Sequence, residues 1–354
     1  MEPTAPVRRA TIVDVAAHAQ VSTTAVSKVM RNAYGVSPSM RAKVTAAIAE
    51  LGYRPRAAAR GMRGQTYTIG LMLPDIRTPF FPEIIDGFAD RLAGTGYELL
   101  LGTSFCGQDA EARVTEAMID RGMDGVVLIA PTAAQADLDR TAALVPIVVI
   151  GRHARSTAHD TVVDDDTLGA ALVVNHLADL GHRRIAHIAH LEKDAVRSAG
   201  MPNTVRAQGY EQAMRGRGLA AEIDVVSTSY TEEGGYLGAQ QLLDRAERPT
   251  AIFAGADIAA MGVLQAVADA GLSVPGDISV AGYDNTSYAA LRPISLTSVD
   301  QGGRQIGAEA ARVLLQRIAD RDTASVFIST SPTLVARRTT GPGPDAAGAD
   351  RSPS

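Results

Sequence analysis

The sequence contains little that would cross-link the chain or anchor it in a membrane. Its 354 residues include one cysteine, Cys106, which excludes an internal disulfide bond and a metal site built from several cysteines. Tryptophan is absent and aromatic residues make up 4%, so aliphatic side chains must form the core. No apolar run approaches the roughly 20 residues of a membrane helix, and the N-terminus lacks the apolar core of a signal peptide. We therefore expect a cytoplasmic protein without a membrane partner.

The charge is distributed unevenly along the chain. A length of 354 residues predicts two or three domains, and 46% hydrophobic residues indicate that they are globular. Residues 1–65 carry ten lysines or arginines and three acidic residues, a net charge of +7. The rest of the chain carries 24 basic and 36 acidic residues, a net charge of −12. A small basic module joined to a larger acidic body indicates that the N-terminal segment binds a polyanion.

Three short amphipathic helices are predicted within the basic segment. Thr11, with Asp14 three residues later, has the pattern of a capping box and begins the first helix. Ser22 caps the second helix, and Ser37 with Pro38 begins the third. Two helices joined by a tight turn have the dimensions of a reader of the DNA major groove. A generic helical bundle fits the same periodicity, and the basic charge favours DNA.

The second helix is predicted to divide into a buried and an exposed face. Its apolar residues recur at helical spacing, and its polar residues fall between them. The face expected to point inward consists of Val26, Val29 and Met30, and the face expected to point outward consists of Thr23, Thr24, Ser27 and Lys28.

From Tyr67 onward, short runs rich in valine, isoleucine and leucine alternate with helical patterns. Examples are the strand candidates TIGLMLP, GVVLIA and AIFAG and the helical segment PEIIDGFADRLAGTG. This alternation predicts an α/β body with parallel sheets. Because about 270 residues exceed one ordinary sheet domain, we expect two similar lobes with a cleft between them. Ligands of such sheets bind in the cleft, beyond the C-terminal ends of the strands.

The sequence lacks the patterns of common enzymes. A GxGxxA string at Gly216, Gly218 and Ala221 follows a helical segment, whereas a dinucleotide site needs a preceding strand. There is no GxxxxGK[ST] loop, GxSxG elbow or HExxH motif. The acidic run at 164–166 lacks a partner cluster that would complete a metal site. We therefore predict no enzymatic activity, no metal and no cofactor.

A series of longer motifs runs through nearly the whole chain. It begins with TIVDVAAHAQVSTTAVSKVM and VSPSMRAKVTAAIAELGYRPRAAARGMRG, and it continues with YTIGLMLPDI, GHRRIAHI, RPTAIFAGADIAAMGVLQAV, GLSVPGDISVAGYDN and SLTSVDQ. In these motifs, from Thr11 to about Arg338, the sequence resembles the LacI/GalR family of bacterial transcription regulators. The resemblance implies an all-α helix-turn-helix head, a hinge helix and a two-lobed α/β body like a periplasmic binding protein. It also implies a homodimer or tetramer that binds palindromic operator DNA and a small-molecule effector.

The resemblance and the composition together predict the domain boundaries. The predicted segments are a flexible N-terminus at 1–10, a helix-turn-helix domain at 11–53, a hinge helix at 54–65, an effector-binding and dimerisation body at 66–338, and a disordered tail at 339–354. Within the body, the resemblance implies that the chain crosses between the lobes near 159–165, 283–291 and 319–326.

For the head, the resemblance implies that Ser22 begins the recognition helix. Lys28 is a departure, since the family more often has Arg or His there, and lysine lacks the planar fork of arginine. Met62 stands where the family usually has a Leu that wedges between base pairs, and methionine is apolar and long enough to do the same. The DNA-binding residues that we expect are Thr11, Ser22, Thr23, Thr24, Ser27, Lys28, Arg60 and Met62.

For the body, the resemblance implies that Arg206 and Asp284 hold polar groups of a sugar or a related effector. Two phenylalanines offer an aromatic floor, a tyrosine a wall and a further aspartate a hydrogen-bond acceptor. The phenylalanines fit a place in the core equally, and Asp164 fits a helix cap. Ala256 stands where some sugar-binding members have Asn, which removes a hydroxyl partner. The effector-binding residues that we expect are Phe80, Phe81, Asp164, Arg206, Tyr230 and Asp284.

These features predict a ligand-responsive transcriptional repressor. The alternative is a cytoplasmic solute-binding protein with a vestigial DNA-binding head. The intact head and the lack of a signal peptide favour the repressor.

Overall fold

The computed structural model describes residues 10–30, 33–53, 65–105, 107–191 and 198–344, which divide after Thr66 into two compact units. The described part of the first unit contains three helices. They are α1 (Ile12–His18), α2 (Thr23–Met30) and α3 (Pro38–Glu50), as the capping patterns predict.

Side-chain caps fix where the helices of the first unit begin. The Asp14 carboxylate accepts from the Thr11 amide and hydroxyl, each at 2.7 Å, so the predicted capping box is present. Ser22 accepts from the Ala25 amide at 3.1 Å. Gln20, in the turn after α1, has φ of 55°, a left-handed conformation that costs a residue with a side chain about 1–2 kcal/mol. The helices share one small core of Val15, Ala16, Ala19, Val26, Val29, Val44 and Ala47.

The second unit contains two six-stranded sheets, each covered by helices. The first sheet is parallel, in the order β11-β5-β4-β3-β1-β2. The second has the order β12-β10-β9-β8-β6-β7, and β12 is antiparallel to β10. The predicted α/β body with two lobes is confirmed. The strands are β1 (Thr68–Leu73), β2 (Glu98–Thr103), β3 (Gly125–Ile129), β4 (Ile147–Ile150), β5 (Asp160–Asp164), β6 (Ile185–Ala189), β7 (Asp224–Ser227), β8 (Ala251–Ala254), β9 (Ser279–Tyr283), β10 (Thr297–Asp300), β11 (Phe327–Thr330) and β12 (Thr333–Val335).

Eight α-helices of the described chain cover these sheets. Six central strands are buried along their whole length, because helices cover both faces. The helices are α4 (Phe80–Leu92), α5 (Gln108–Asp120), α6 (Gln135–Leu144), α7 (Asp166–Asp179), α8 (Pro202–Gly216), α9 (Glu232–Leu243), α10 (Asp257–Asp269) and α11 (Gly303–Ala319). None of the helices described is long and apolar enough to span a membrane.

Glycine allows α9 and α10 to pack backbone against backbone. A Cβ atom on Gly235 would lie 1.9 Å from the carbonyl oxygen of Ala259. No side chain can be accommodated at that distance without moving one helix. The close packing fixes these two helices of the second lobe relative to each other.

The chain crosses between the two sheets three times. The crossings follow β5, β10 and β11, at 164–166, 300–303 and 330–333. The predicted crossing near 283–291 is wrong, because that segment leads to β10, which pairs with β9 in the same sheet. The predicted crossing near 319–326 is also wrong, because it leads to β11, which pairs with β5 in the first sheet.

The body extends past its predicted end at Arg338. The Thr339 hydroxyl accepts from the Thr297 amide at 2.9 Å, and the Gly341 amide donates to the Ser279 hydroxyl at 3.0 Å. The prediction of a disordered tail is therefore wrong for residues 339–344, because hydrogen bonds to the second lobe hold this Pro- and Gly-rich segment. Residues 345–354 lie outside the described residues, as do residues 1–9 and 54–64 of the predicted N-terminus and hinge.

Candidate functional site

The second helix of the head exposes most of the residues predicted to contact DNA. Thr23, Thr24 and Lys28 are exposed on α2, and Ser22 is exposed at its N-cap. Thr11 is exposed as well, and its side chain is part of the capping box. Arg60 and Met62 lie outside the described residues.

Ser27 does not lie on the exposed face. Its exposed fraction is 4%, so the prediction that it points outward is wrong. It directly follows Val26 and precedes Met30 by about one turn, which places it at the edge of the buried stripe. A side chain as short as serine does not reach past its larger neighbours at that edge.

A cavity of about 390 Å³ lies between the two lobes of the second unit. It opens beyond the C-terminal ends of the strands, where Ile129, Ile150 and Asp164 contribute to its wall. Its volume falls within the roughly 300–1,000 Å³ typical of small-molecule sites. All six predicted effector residues line this cavity, namely Phe80, Phe81, Asp164, Arg206, Tyr230 and Asp284.

Arg206, on the first turns of α8, is at the centre of the polar side of the cavity. Its Nε and Nη2 donate to Asp166 Oδ1 at 2.9 and 2.6 Å, and its Nη1 donates to the Gly255 carbonyl. The ring centroid of Tyr283 lies 3.6 Å from the guanidinium carbon. Burial alone would lower the pKa of Arg206, but the adjacent Asp166 carboxylate holds it above its usual value. The guanidinium therefore remains charged although it is 4% exposed.

Two further carboxylates face the cavity, and one oxygen of each already accepts a hydrogen bond. Asp164 Oδ2 accepts from the Tyr283 hydroxyl at 2.8 Å, and Asp284 Oδ1 accepts from Gln301 Nε2 at 2.5 Å. Burial, together with the neighbouring charge of Asp166, raises the pKa of Asp164 to about 7. Burial also raises the pKa of Asp284 well above its usual value. Asp164 can therefore hold a proton or accept from a ligand near neutral pH.

Phe80 has the structural role that was the alternative to ligand binding, whereas Asp164 does not. Phe80 is 8% exposed and belongs to the core of the first lobe, although it also lines the cavity. The cap of α7 is Asp165, whose Oδ1 accepts from the Leu168 amide at 2.9 Å. The alternative that Asp164 is a helix cap is therefore wrong.

Sequence reasoning missed several residues that hold the site together. Asp166 belongs to the acidic run at 164–166, and its Oδ2 lies 2.8 Å from His153 Nε2. The statement that this run lacks a partner is therefore wrong, since potential ligand atoms of His153, Asp164 and Asp166 lie within 4.8 Å of one another. The bound guanidinium of Arg206 opposes a cation beside Asp166. The residues missed are His153, Asp166, Tyr283 and Gln301.

The chain is similar to known regulators in both units. Residues 11–56 match the family model of bacterial regulatory proteins of the lacI family, and residues 174–340 match a periplasmic binding protein-like domain. The chain is 35% identical over 341 residues to the HTH-type transcriptional repressor PurR of Erwinia tasmaniensis, covering 95% of this chain and 98% of that protein. This protein belongs to the lacI family. It is a DNA-binding transcription regulator, with a helix-turn-helix unit and a two-lobed body.

Solved structures show the same fold as this lacI-family protein. The transcriptional regulator CelR in complex with cellobiose has a TM-score of 0.68 and 29% identity, covering 94% of this chain and 100% of that chain. The lac repressor dimer bound to operator and the anti-inducer ONPF has a TM-score of 0.79 and 24% identity, with the same coverage.

One cavity residue of this lacI-family protein removes a polar partner. Ala256 lines the cavity and is the N-cap of α10, where it makes no side-chain cap hydrogen bond. Its methyl group offers a ligand hydroxyl no hydrogen-bond partner in this part of the wall.

Proposed function

We propose that this protein is a homodimeric repressor whose affinity for a palindromic operator is controlled by an effector in the cavity between the lobes. The observation that carries the proposal is that all six effector residues predicted from sequence line one cavity, in a chain that also exposes a polar recognition helix. A repressor of bacterial genes acts in the cytoplasm, where the DNA lies, and it binds its effector without converting it.

In the head, α2 enters the major groove of each operator half-site. The exposed side chains of Ser22, Thr23, Thr24 and Lys28 contact base edges or nearby phosphates, and Lys28 donates to guanine as a point charge. Thr11 and Arg60 contact the DNA backbone, and Met62 wedges into the minor groove. Two heads on two half-sites require two copies of the chain, because a palindrome has dyad symmetry.

In the body, the effector changes the angle between the lobes. The cavity has walls from both lobes, and three crossings join them, so a ligand that contacts both walls favours one relative orientation. Allosteric coupling of this kind changes affinity by about 1–3 kcal/mol.

A second copy has an edge strand with exposed apolar side chains available on the first lobe. Strand β2 is at the outer edge of its sheet, and Leu100 and Leu101 are 48% and 52% exposed there. Exposed aliphatic side chains on an edge strand are typical of an interface. We propose that the dimer contact lies along this edge of the first sheet.

Deletion of residues 1–64 tests the proposal against a solute-binding protein with a vestigial head. We expect the full chain to bind a palindromic site from its own promoter at moderate salt, and the deleted chain to lose this binding. Both chains should bind the same cavity ligands. If the full chain does not distinguish the site from a scrambled duplex under any ligand condition, the repressor proposal fails and the alternative stands.

A further inference from the structure

Acidic side chains outnumber basic ones in the lining of the cavity. Among the described residues, six charged side chains line it in addition to His190, and carboxylates outnumber guanidinium groups by two to one. Asp166 adds a buried carboxylate directly behind Arg206. The carboxylates of the lining are Asp75, Glu111, Asp164 and Asp284, and the guanidinium groups are Arg77 and Arg206.

The Arg206 guanidinium group already forms hydrogen bonds within the protein. Each nitrogen of the Arg206 guanidinium donates within the protein, to Asp166 or to the Gly255 carbonyl. The aromatic ring of Tyr283 covers one face of the group. These hydrogen bonds use three of the five N–H groups of Arg206, and an anionic ligand at the other two would also face the carboxylates beside it.

Two carboxylate oxygens remain for a ligand. Within the part of the chain that the structure describes, Asp164 accepts one hydrogen bond through Oδ2 and Asp284 accepts one through Oδ1. Both residues are at most 5% exposed and line the same cavity. The groups that donate to these two carboxylates, the Tyr283 hydroxyl and the Gln301 amide, are neutral, so a ligand that supplies a positive charge gains binding energy there.

We propose that the effector carries a protonated amine that binds between Asp164 and Asp284, on a polyhydroxylated ring such as an amino sugar or an aminocyclitol. The inference rests on the proposed function, because it names the chemical class of the effector in the same cavity. Phe80 and Phe81 provide an apolar surface for the carbon face of the ring. The Tyr230 hydroxyl, which lines the cavity and has no hydrogen-bond partner among the described residues, remains for one of its hydroxyl groups.

In the unliganded cavity a proton takes the place of the amine. Burial raises the pKa of Asp164 to about 7, so the group is largely protonated below neutral pH. A cationic ligand displaces this proton, and its affinity therefore rises as the pH rises toward 7, over the range in which the amine itself keeps its proton. The groups that face Asp164 are Asp166, Arg206, Tyr283 and His153, and those that face Asp284 are Asp257, Arg206, Gln301 and Asp164.

The test uses the full chain and matched sets of three ligands. Each set contains an amino sugar, its neutral hexose and its uronic acid, and there is one set for each of the gluco, galacto and manno series. The ligands are screened by thermal shift, and their affinities are then measured by calorimetry. We expect one amine to bind at least about tenfold more tightly than its hexose. A charge interaction strong enough to shift a pKa by one unit changes a binding constant by a factor of about ten. Uronic acids should not bind.

Three results overturn the inference. The first is that no amine in the panel binds, and the second is that a hexose or uronic acid binds as tightly as its amine. The third is that Zn²⁺ or Mn²⁺ alone stabilises the protein, which would mean that a metal ion and not an amine supplies the positive charge. Operator binding without ligand is measured in parallel. If it persists while the amines fail, the ligand class is wrong and the repressor proposal is not.

Asp284→Asn provides the matched variant, because Asn tolerates the positive φ of 113° at this position. We expect the amine preference to fall about tenfold, whereas Asp120→Asn, which removes an exposed carboxylate on α5, should leave it unchanged. The wild-type chain gives an independent readout. Calorimetry at pH 6.5 in two buffers of different ionisation enthalpy should detect proton release with the amine, and its absence would contradict the inference even if the variant does not fold.

Discussion

Arg206→Leu is expected to destabilise the body strongly. The substitution removes the three nitrogens that donate to Asp166 and the Gly255 carbonyl. It leaves Asp166, which is fully buried, without its arginine and with His153 as its remaining side-chain partner among the described residues. Breaking a buried ion pair from one side costs about 3–5 kcal/mol. In a domain of 150–250 residues each kcal/mol shifts the Tm by roughly 2–4 °C, so we expect a decrease of about 6–20 °C.

The loss should also depend on pH. The pKa of Asp164 is raised to about 7 in the folded protein, so between about pH 4 and pH 7 the folded state binds more protons than the unfolded state. Stability from this group therefore falls as the pH rises through that window. Without Arg206 the Asp164 carboxylate is still harder to ionise. The stability lost in Arg206→Leu should therefore be larger at pH 8 than at pH 5.5.

Thermal and urea unfolding of the full chain at both pH values measure these effects. The matched control is Arg215→Leu, on the same helix, because Arg215 forms an exposed pair with Glu211 at 2.8 Å. Such pairs contribute about 0.3–0.5 kcal/mol. If Arg206→Leu loses no more stability than Arg215→Leu at pH 8, the assignment of Arg206 as the buried counter-ion is refuted.

Three further substitutions test the head and the helix packing. Lys28→Ala should weaken operator binding by about 1–3 kcal/mol and relax the preference at one base pair, whereas Lys43→Ala should keep that preference. Fluorescence anisotropy on single-base operator variants measures the affinity and the base preference of each variant. Gly235→Ala should cost about 1–3 kcal/mol in thermal unfolding, whereas Gly216→Ala, with open space around it, should be neutral or slightly stabilising, and equal effects would contradict the packing account. Thr11→Ala should cost the head about 1 kcal/mol, seen as faster hydrogen exchange of the first helix, and unchanged exchange would argue against the capping box.

The strands that the sequence predicts are those with distinctive composition. TIGLMLP and GVVLIA are short apolar runs because helices cover both faces of β1 and β3. Strands β7, β10 and β12 are short, with three or four residues each, and β7 and β10 carry polar side chains. The predicted crossing near 159–165 overlaps the observed one after β5, whereas the other two were misplaced. A crossing depends on which strands pair, and no local pattern indicates that β10 pairs with β9.

The cavity lining was more predictable than the contacts behind it. Positions such as Arg206 and Asp284 follow from the resemblance, because family motifs contain them. The pairing of Arg206 with Asp166 joins residues 40 positions apart on two different helices. Only the packing of α7 against α8 brings them together, so no local pattern indicates it. The burial of Ser27 likewise depends on neighbouring side chains and not on its place in the helix alone.

The central claim is that one chain couples a cavity ligand to operator affinity. The most direct measurement is the affinity of the full chain for a palindromic site from its own promoter, with and without a ligand that raises the Tm of the body. We expect sequence-specific binding that changes by about 5- to 150-fold when the cavity is saturated. An affinity that does not change with a ligand bound in the cavity, or that is equal for a scrambled duplex, would contradict the account.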